Sequence, residues 1–126
     1  MTLDNKIILL AEDDVALARM YKRGIELAGG KVIMAEDGEQ ALEVLKLEKV
    51  DIVLLDLIMP KVNGCEVFQK MKASQNTKNI PVIVLTNLDE HPEYIEQATS
   101  AKAEEYLVKS NVSVSEVIKK ISEHLK

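Results

Sequence analysis

Polar side chains stand directly behind short apolar runs at four points in this chain. Glu12-Asp13-Asp14 follow Ile7-Ile8-Leu9-Leu10-Ala11, Asp56 follows Ile52-Val53-Leu54-Leu55, Thr86 follows Pro81-Val82-Ile83-Val84-Leu85, and Lys109 follows Tyr106-Leu107-Val108. Carboxylates gathered without compensation repel and raise one another's pKa, so a cation is implied if these acids meet. An all-oxygen set with no nearby His or Cys suits hard Mg²⁺, or Mn²⁺, rather than zinc. Single residues have plainer readings. Asp14 fits a helix N-cap ahead of Val15-Ala16-Leu17, and capping or solvated-loop roles serve Glu12 and Asp13 equally well when each is taken alone. Asp56 is harder to dismiss, because Leu57-Ile58-Met59-Pro60 follows it and an unpaired carboxylate in apolar surroundings is expensive. Thr86 alone is an ordinary strand residue and Lys109 an ordinary surface lysine; the conjunction carries the signal.

The elements that must position these residues are legible from periodicity. The five apolar runs, with Val32-Ile33-Met34-Ala35 as the second, are strand-length and continuous rather than alternating, which predicts strands covered on both faces, as in a parallel sheet. Between them apolar residues recur at helical spacing: Leu17, Met20, Gly24, Leu27 and Ala28; Ala41, Val44 and Leu45; Phe68 and Met71; Ile95 and Ala98. The last segment sets Val114, Val117, Ile118, Ile121 and Leu125 against Glu116, Lys119, Lys120, Glu123 and Lys126, the pattern of an amphipathic terminal helix. Asp37 with Gln40 and Ser113 with Glu116 have capping-box spacing, Gly29-Gly30 ends the first helix, and Asn79-Ile80-Pro81 closes the loop before the fourth strand. Five strand-then-helix units with right-handed crossovers predict an α/β sandwich around one open sheet. The working site of such a sheet lies beyond the carboxyl ends of its strands, where the polar residues fall.

Composition bounds the function. At 126 residues the chain predicts a single domain, 1–126, able to bury a core without disulfides. Three Tyr, one Phe and no Trp leave the core aliphatic and offer little for base stacking, and a net charge of −5 has the wrong sign for direct nucleic-acid or anionic-membrane binding. No apolar run approaches a membrane span, and the N-terminus lacks the basic region of a signal peptide, so a cytoplasmic protein is expected. Cys65 cannot form an intramolecular disulfide and reads as a small apolar helix residue. His91 and His124 lie outside the acidic set and are expected to face solvent.

Taken together, Ile8 to Asp14, Asp51 to Pro60 with Gly64, Pro81 to Thr86, and Tyr106 to Lys109 resemble the receiver domain of two-component response regulators, end to end and in the same order. The resemblance implies a flavodoxin-like, doubly wound (βα)5 fold with strand order 2-1-3-4-5. It implies that Asp56 accepts a phosphoryl group from a phosphohistidine of a sensor histidine kinase or histidine phosphotransfer protein, or from a small phosphodonor. Glu12, Asp13, Asp56 and the backbone carbonyl of Ile58 would hold Mg²⁺, Lys109 would pair with a phosphoryl oxygen, and the Thr86 hydroxyl would contact another. Tyr106 would follow Thr86 from an exposed to a buried rotamer, remodelling the face around the fourth helix, fifth strand and fifth helix to control a protein partner. Such a switch phosphorylates itself and hydrolyses slowly but is not a turnover enzyme. With no output domain after Lys126, the signal is expected to leave by protein contact, from a monomer or a weak dimer through that face.

Departures accompany the matches. Lys109 is followed by Ser110-Asn111 where the family usually has proline, often cis, so a trans bond is expected here. Asn87 replaces a small residue and Lys102-Ala103 replaces Gly-Ala. Ile58 and Leu88, two positions beyond Asp56 and Thr86, have no side chain to orient a hydrolytic water, which predicts a long-lived aspartyl phosphate. Three other functions compete with this reading. A flavin electron carrier would need a Ser/Thr/Gly-rich phosphate loop and aromatic residues. An aspartate-nucleophile phosphatase would need an acid where Ile58 stands. A degenerate receiver that binds partners without phosphorylation is disfavoured by the intact acids and weakly favoured by Ser110.

Overall fold

The computed structural model describes residues 3–59, 61–86 and 103–125. Within them the order is β1 (Ile7–Ala11), α1 (Val15–Leu27), β2 (Lys31–Ala35), α2 (Gly38–Leu47), β3 (Ile52–Asp56), α3 (Gly64–Ala73), β4 (Val82–Thr86), β5 (Glu105–Val108) and a C-terminal helix (Val114–His124). All strand pairs are parallel and the sheet order is β2-β1-β3-β4-β5, the doubly wound order expected. Asn87, Leu88, the segment 87–92 with His91, Ile95 and Ala98 of the expected fourth helix, Lys102, Pro60 and Lys126 lie outside the described residues.

The continuous apolar runs have a direct cause. Side chains alternate across the pleat. On one face Ile8, Leu10, Ile52, Leu54, Ile83 and Leu85 pack with Ala18, Tyr21 and Ile25 of α1 and with Val117 and Ile121 of the C-terminal helix. On the other, Leu9, Ala11, Val53, Leu55, Val82 and Val84 pack with Ala41 of α2 and with Cys65, Val67, Phe68 and Met71 of α3. The two edge strands depart from full cover: in β2 Val32 and Ile33 are half-buried and Met34 is 37% exposed, and in β5 Tyr106 and Val108 are half-buried.

Three sequence expectations need correction. The stripe Met20, Gly24, Leu27 is not the buried face of α1, because Met20 and Leu27 are 54% and 80% exposed while Ala18, Tyr21 and Ile25 are buried. Tyr21, which is not in that stripe, is buried between α1 and the sheet. Gly24 does face inward: a Cβ there would lie 2.4 Å from Val114 Cγ1, so its small size lets α1 and the C-terminal helix approach. The capping box at α2 is incomplete. Asp37 Oδ1 accepts from Gln40 N at 2.8 Å, but Gln40 Oε1 accepts from Glu36 N, one residue before the cap. His124 is not solvent-facing; Nε2 lies 3.0 Å from Glu105 Oε2 across the groove between the C-terminal helix and β5. The Ser113–Glu116 box is complete, with both reciprocal bonds at 3.1 Å.

Candidate functional site

The sheet order brings the ends of β1, β3, β4 and β5 to one edge of the molecule, and every residue singled out there by the sequence is at that edge. Glu12 follows β1, its N–H donating to Ala35 O of β2 at 3.0 Å, and its side chain turns inward to 2% exposure. Asp13 points outward, and Asp14 caps α1 by accepting from Leu17 N at 3.1 Å. Asp56 is the last residue of β3 and 2% exposed, because β1 and β4 flank it and Gly64 of α3 packs on its carbonyl. Thr86 ends β4 at 3% exposure, and its carbonyl accepts from Lys109 N at 2.9 Å, which fixes where the lysine leaves β5.

One carboxylate oxygen from each of Glu12, Asp13 and Asp56 lies within 4.8 Å of the others. Lys109 Nζ sits 2.8 Å from Glu12 Oε1 and 2.9 Å from Asp56 Oδ2. The Asp56 contact is a well-formed hydrogen bond. Glu12 Oε1 is close to the ammonium but lacks hydrogen-bond alignment, so that contact is ionic and leaves a buried oxygen without a directed partner. Asp56 Oδ1 accepts from Ile58 N at 3.1 Å, and Glu12 Oε2 from Asp14 N at 3.1 Å.

The electrostatics follow from one ammonium serving two buried carboxylates. Burial, then the charge of Asp56, pushes the Glu12 carboxyl up to about 7, against the opposing pull of Lys109. Burial also raises Asp56, with Lys109 as the main opposing influence. Burial pulls the Lys109 ammonium down, but its close contact with Glu12 and the charge of Asp56 outweigh that and hold it above the ordinary lysine range. Two carboxylates and an exposed third acid against one lysine leave the cluster under-compensated. A hard divalent cation fits this donor set: the ligands are all oxygen, they are already close, and Glu12 Oε1 has an unfilled direction.

The Lys109–Ser110 bond is trans, as expected without proline, and Lys109 reaches both acids nonetheless. Tyr106 is half-buried, and its hydroxyl accepts from Ala103 N at 3.1 Å. Sequence reasoning missed Asn63, which caps α3 by accepting from Glu66 N at 3.0 Å; its place three residues before Glu66 was the available signal. It also missed the crowding at Gly38, where a Cβ would fall 1.7 Å from Val62 O.

The model of the response regulator receiver domain matches residues 8–122. The chain belongs to the response regulator receiver family. This receiver is 46% identical over 79 residues to the transcriptional regulatory protein CpxR of Escherichia coli (strain K12), a match covering 63% of this chain and 32% of CpxR. Against the receiver domain of Francisella response regulator 1452 the TM-score is 0.82 at 30% identity, covering 94% of this chain and 95% of that one. A Mn(2+)-bound form of response regulator Rcp1 superposes with a TM-score of 0.83 at 28% identity, covering 96% of this chain and 95% of that one. The receiver spans 32–44% of the length of the curated relatives it matches. No helix among the described residues is long and apolar enough to cross a membrane.

Proposed function

We propose that this receiver is a phosphorylation-activated switch that takes a phosphoryl group onto Asp56 in a Mg²⁺-dependent reaction and does not turn over a substrate as an enzyme. The observation that carries the reading is the placement of Asp56, at a strand end, buried, and shared between the Lys109 ammonium and the Ile58 N–H. An Asp56 oxygen forms the new O–P bond as the P–N bond of a donor phosphohistidine breaks, and the leaving imidazole nitrogen keeps the electron pair and takes a proton. Glu12, Asp13, Asp56 and the Ile58 carbonyl are the residues that would hold the metal. When bound there, Mg²⁺ would offset the charge gathering on the phosphoryl oxygens.

Lys109 does the remaining charge work. It already bridges carboxylate oxygens, and exchanging one for a phosphoryl oxygen of the same sign keeps its ion pairing intact. Thr86 stands on the neighbouring strand end, joined to Lys109 through the backbone bond from Lys109 N to Thr86 O. Its hydroxyl is proposed to bond a second phosphoryl oxygen and draw the end of β4 inward. Tyr106 is proposed to exchange its bond with Ala103 N for a more buried rotamer, a population shift limited by the difference in phosphate contacts between two states. The altered face then acts on a protein partner, and the donor is a histidine kinase or phosphotransfer protein.

The test is intact mass after incubation with acetyl phosphate, with and without Mg²⁺, on wild type and Asp56→Asn. A single Mg²⁺-dependent phosphoryl adduct absent from the variant is the expected result. Mg²⁺ binding with no adduct in the wild type would overturn the switch and favour a receiver that works by binding alone.

A further inference from the structure

The loop that follows β3 is gripped from two sides, and one grip comes from an element with no part in the site. At its far end, Gly64 N donates to Leu57 O at 2.9 Å, and a Cβ on Gly64 would lie 2.2 Å from Asp56 O. At its crest, the Val62 carbonyl occupies the space a side chain on Gly38 would need, only 1.7 Å from the position of a Cβ there. Gly38 opens α2, and Asp37, which caps that helix, places Oδ2 3.7 Å from Lys61 Nζ. Lys61 itself has φ +66, a left-handed conformation that a residue with a side chain adopts only when its surroundings impose it. Lys61 stands where the loop meets the first turn of α2.

The same loop begins at the site, where Ile58 N–H holds Asp56 Oδ1. We propose that Gly38 is a positioning residue for the metal site, letting the first turn of α2 seat the loop after β3 at the height that brings Ile58 and Asp56 into register with Glu12 and Asp13. The inference rests on the metal site proposed above. In Gly38→Ala, widening the 1.7 Å separation to even a tight contact of 3.0 Å would move the Val62 carbonyl by about 1.3 Å or more. Metal coordination tolerates only a few tenths of an ångström in ligand distance, so part of that displacement reaching Ile58 weakens binding. Lys61 holds the loop only lightly, since its side chain is 61% exposed and its pair with Asp37 is open to solvent.

The experiment compares Mg²⁺ dissociation constants, followed by backbone amide shifts, for wild type, Gly38→Ala and Gly24→Ala. Gly24 is a fitting control, because it is also crowded but lies between α1 and the C-terminal helix, away from the acids. The expected result is a loss of Mg²⁺ affinity of about tenfold or more in Gly38→Ala and less than twofold in Gly24→Ala, both folded by circular dichroism. Equal affinities in the two variants would overturn the positioning role while leaving the metal site standing. Failure of the wild type to bind Mg²⁺ would overturn both. Should Gly38→Ala not fold, the wild-type titration decides: shifts of the Gly38 and Val62 amides that saturate with those of Glu12 and Asp13 support the coupling, and silent Gly38 and Val62 amides refute it.

Discussion

Neutralising Glu12 should make the metal-free protein more stable at neutral pH, although it deletes a contact to a lysine. The folded state raises the Glu12 carboxyl from an ordinary 4.5 to about 7. Below pH 4.5 both folded and unfolded chains carry the proton and the group contributes nothing to the difference. As pH rises towards 7 the unfolded chain releases the proton first, and the folded state is progressively penalised for keeping a charge buried beside Asp56. At about 1.4 kcal/mol per tenfold change in proton affinity, the ceiling is about 3 kcal/mol, and the ion pair with Lys109 and access of water at the sheet edge reduce it to about 2 kcal/mol. Asp56, also raised, works in the same direction. For a domain of 126 residues that corresponds to a fall in melting temperature of roughly 6–10 °C between pH 5 and pH 7.5 without metal. In Glu12→Gln most of that fall should vanish. Saturating Mg²⁺, at about a hundred times its dissociation constant, should restore about 2.7 kcal/mol to the wild type at pH 7.5, and less at pH 5, where protons compete for the same oxygen. Urea or thermal unfolding across that range, with EDTA or Mg²⁺, is the assay. A metal-free wild type that is equally or more stable at pH 7.5 than at pH 5, or a Glu12→Gln variant with an unchanged slope, would refute the reasoning.

Three further outcomes follow from the same geometry. Lys109→Met should strip from two buried carboxylates the one ammonium that pairs with them among the described residues, destabilising the metal-free protein by about 2–4 kcal/mol at pH 7.5 in urea unfolding and suppressing phosphoryl incorporation. Gly64→Ala must push α3 off the Asp56 carbonyl, and a loss of about 2–4 kcal/mol is expected by the same assay; a loss below 0.5 kcal/mol would mean the helix shifts freely. Ile58→Asn supplies a polar group two residues past Asp56, and the aspartyl phosphate should decay several-fold faster in a time course of intact mass.

Most of the fold was legible because the sheet is buried on both faces, so each strand announces itself as an unbroken aliphatic run. The site was legible for a related reason: a polar residue ending such a run has few purposes, and Asp56, Thr86 and Lys109 each end one. What escaped the sequence depended on approach between elements distant in the chain. Leu27 and Met20 look like core residues by hydropathy, whereas Gly24 and Val114 set the rotation of α1 that buries Ala18, Tyr21 and Ile25 instead. His124 carries no local sign that Glu105, on another element, will meet it at 3.0 Å. Nor does Gly38, a residue with no side chain, disclose that its value lies in the room it leaves for Val62.

Four acids of this protein divide by the end of the sheet they occupy. At the end opposite the site, Asp51 Oδ2 accepts from Ile7 N at 2.8 Å and Glu104 Oε2 from Val82 N at 2.6 Å, so each closes the first rung of a strand that has no earlier neighbour to bond. Those acids stitch the sheet, while Glu12 and Asp56 burden it. Substitution along the chain therefore has two separable consequences. Changes at one end alter how firmly the protein folds and leave its chemistry alone, and changes at the other alter the chemistry while, at Glu12, making the fold firmer. Silencing the site through Glu12 relieves the scaffold, whereas silencing it through Lys109 strains it, so the two routes to a lost function differ in whether a stabilising change must come first.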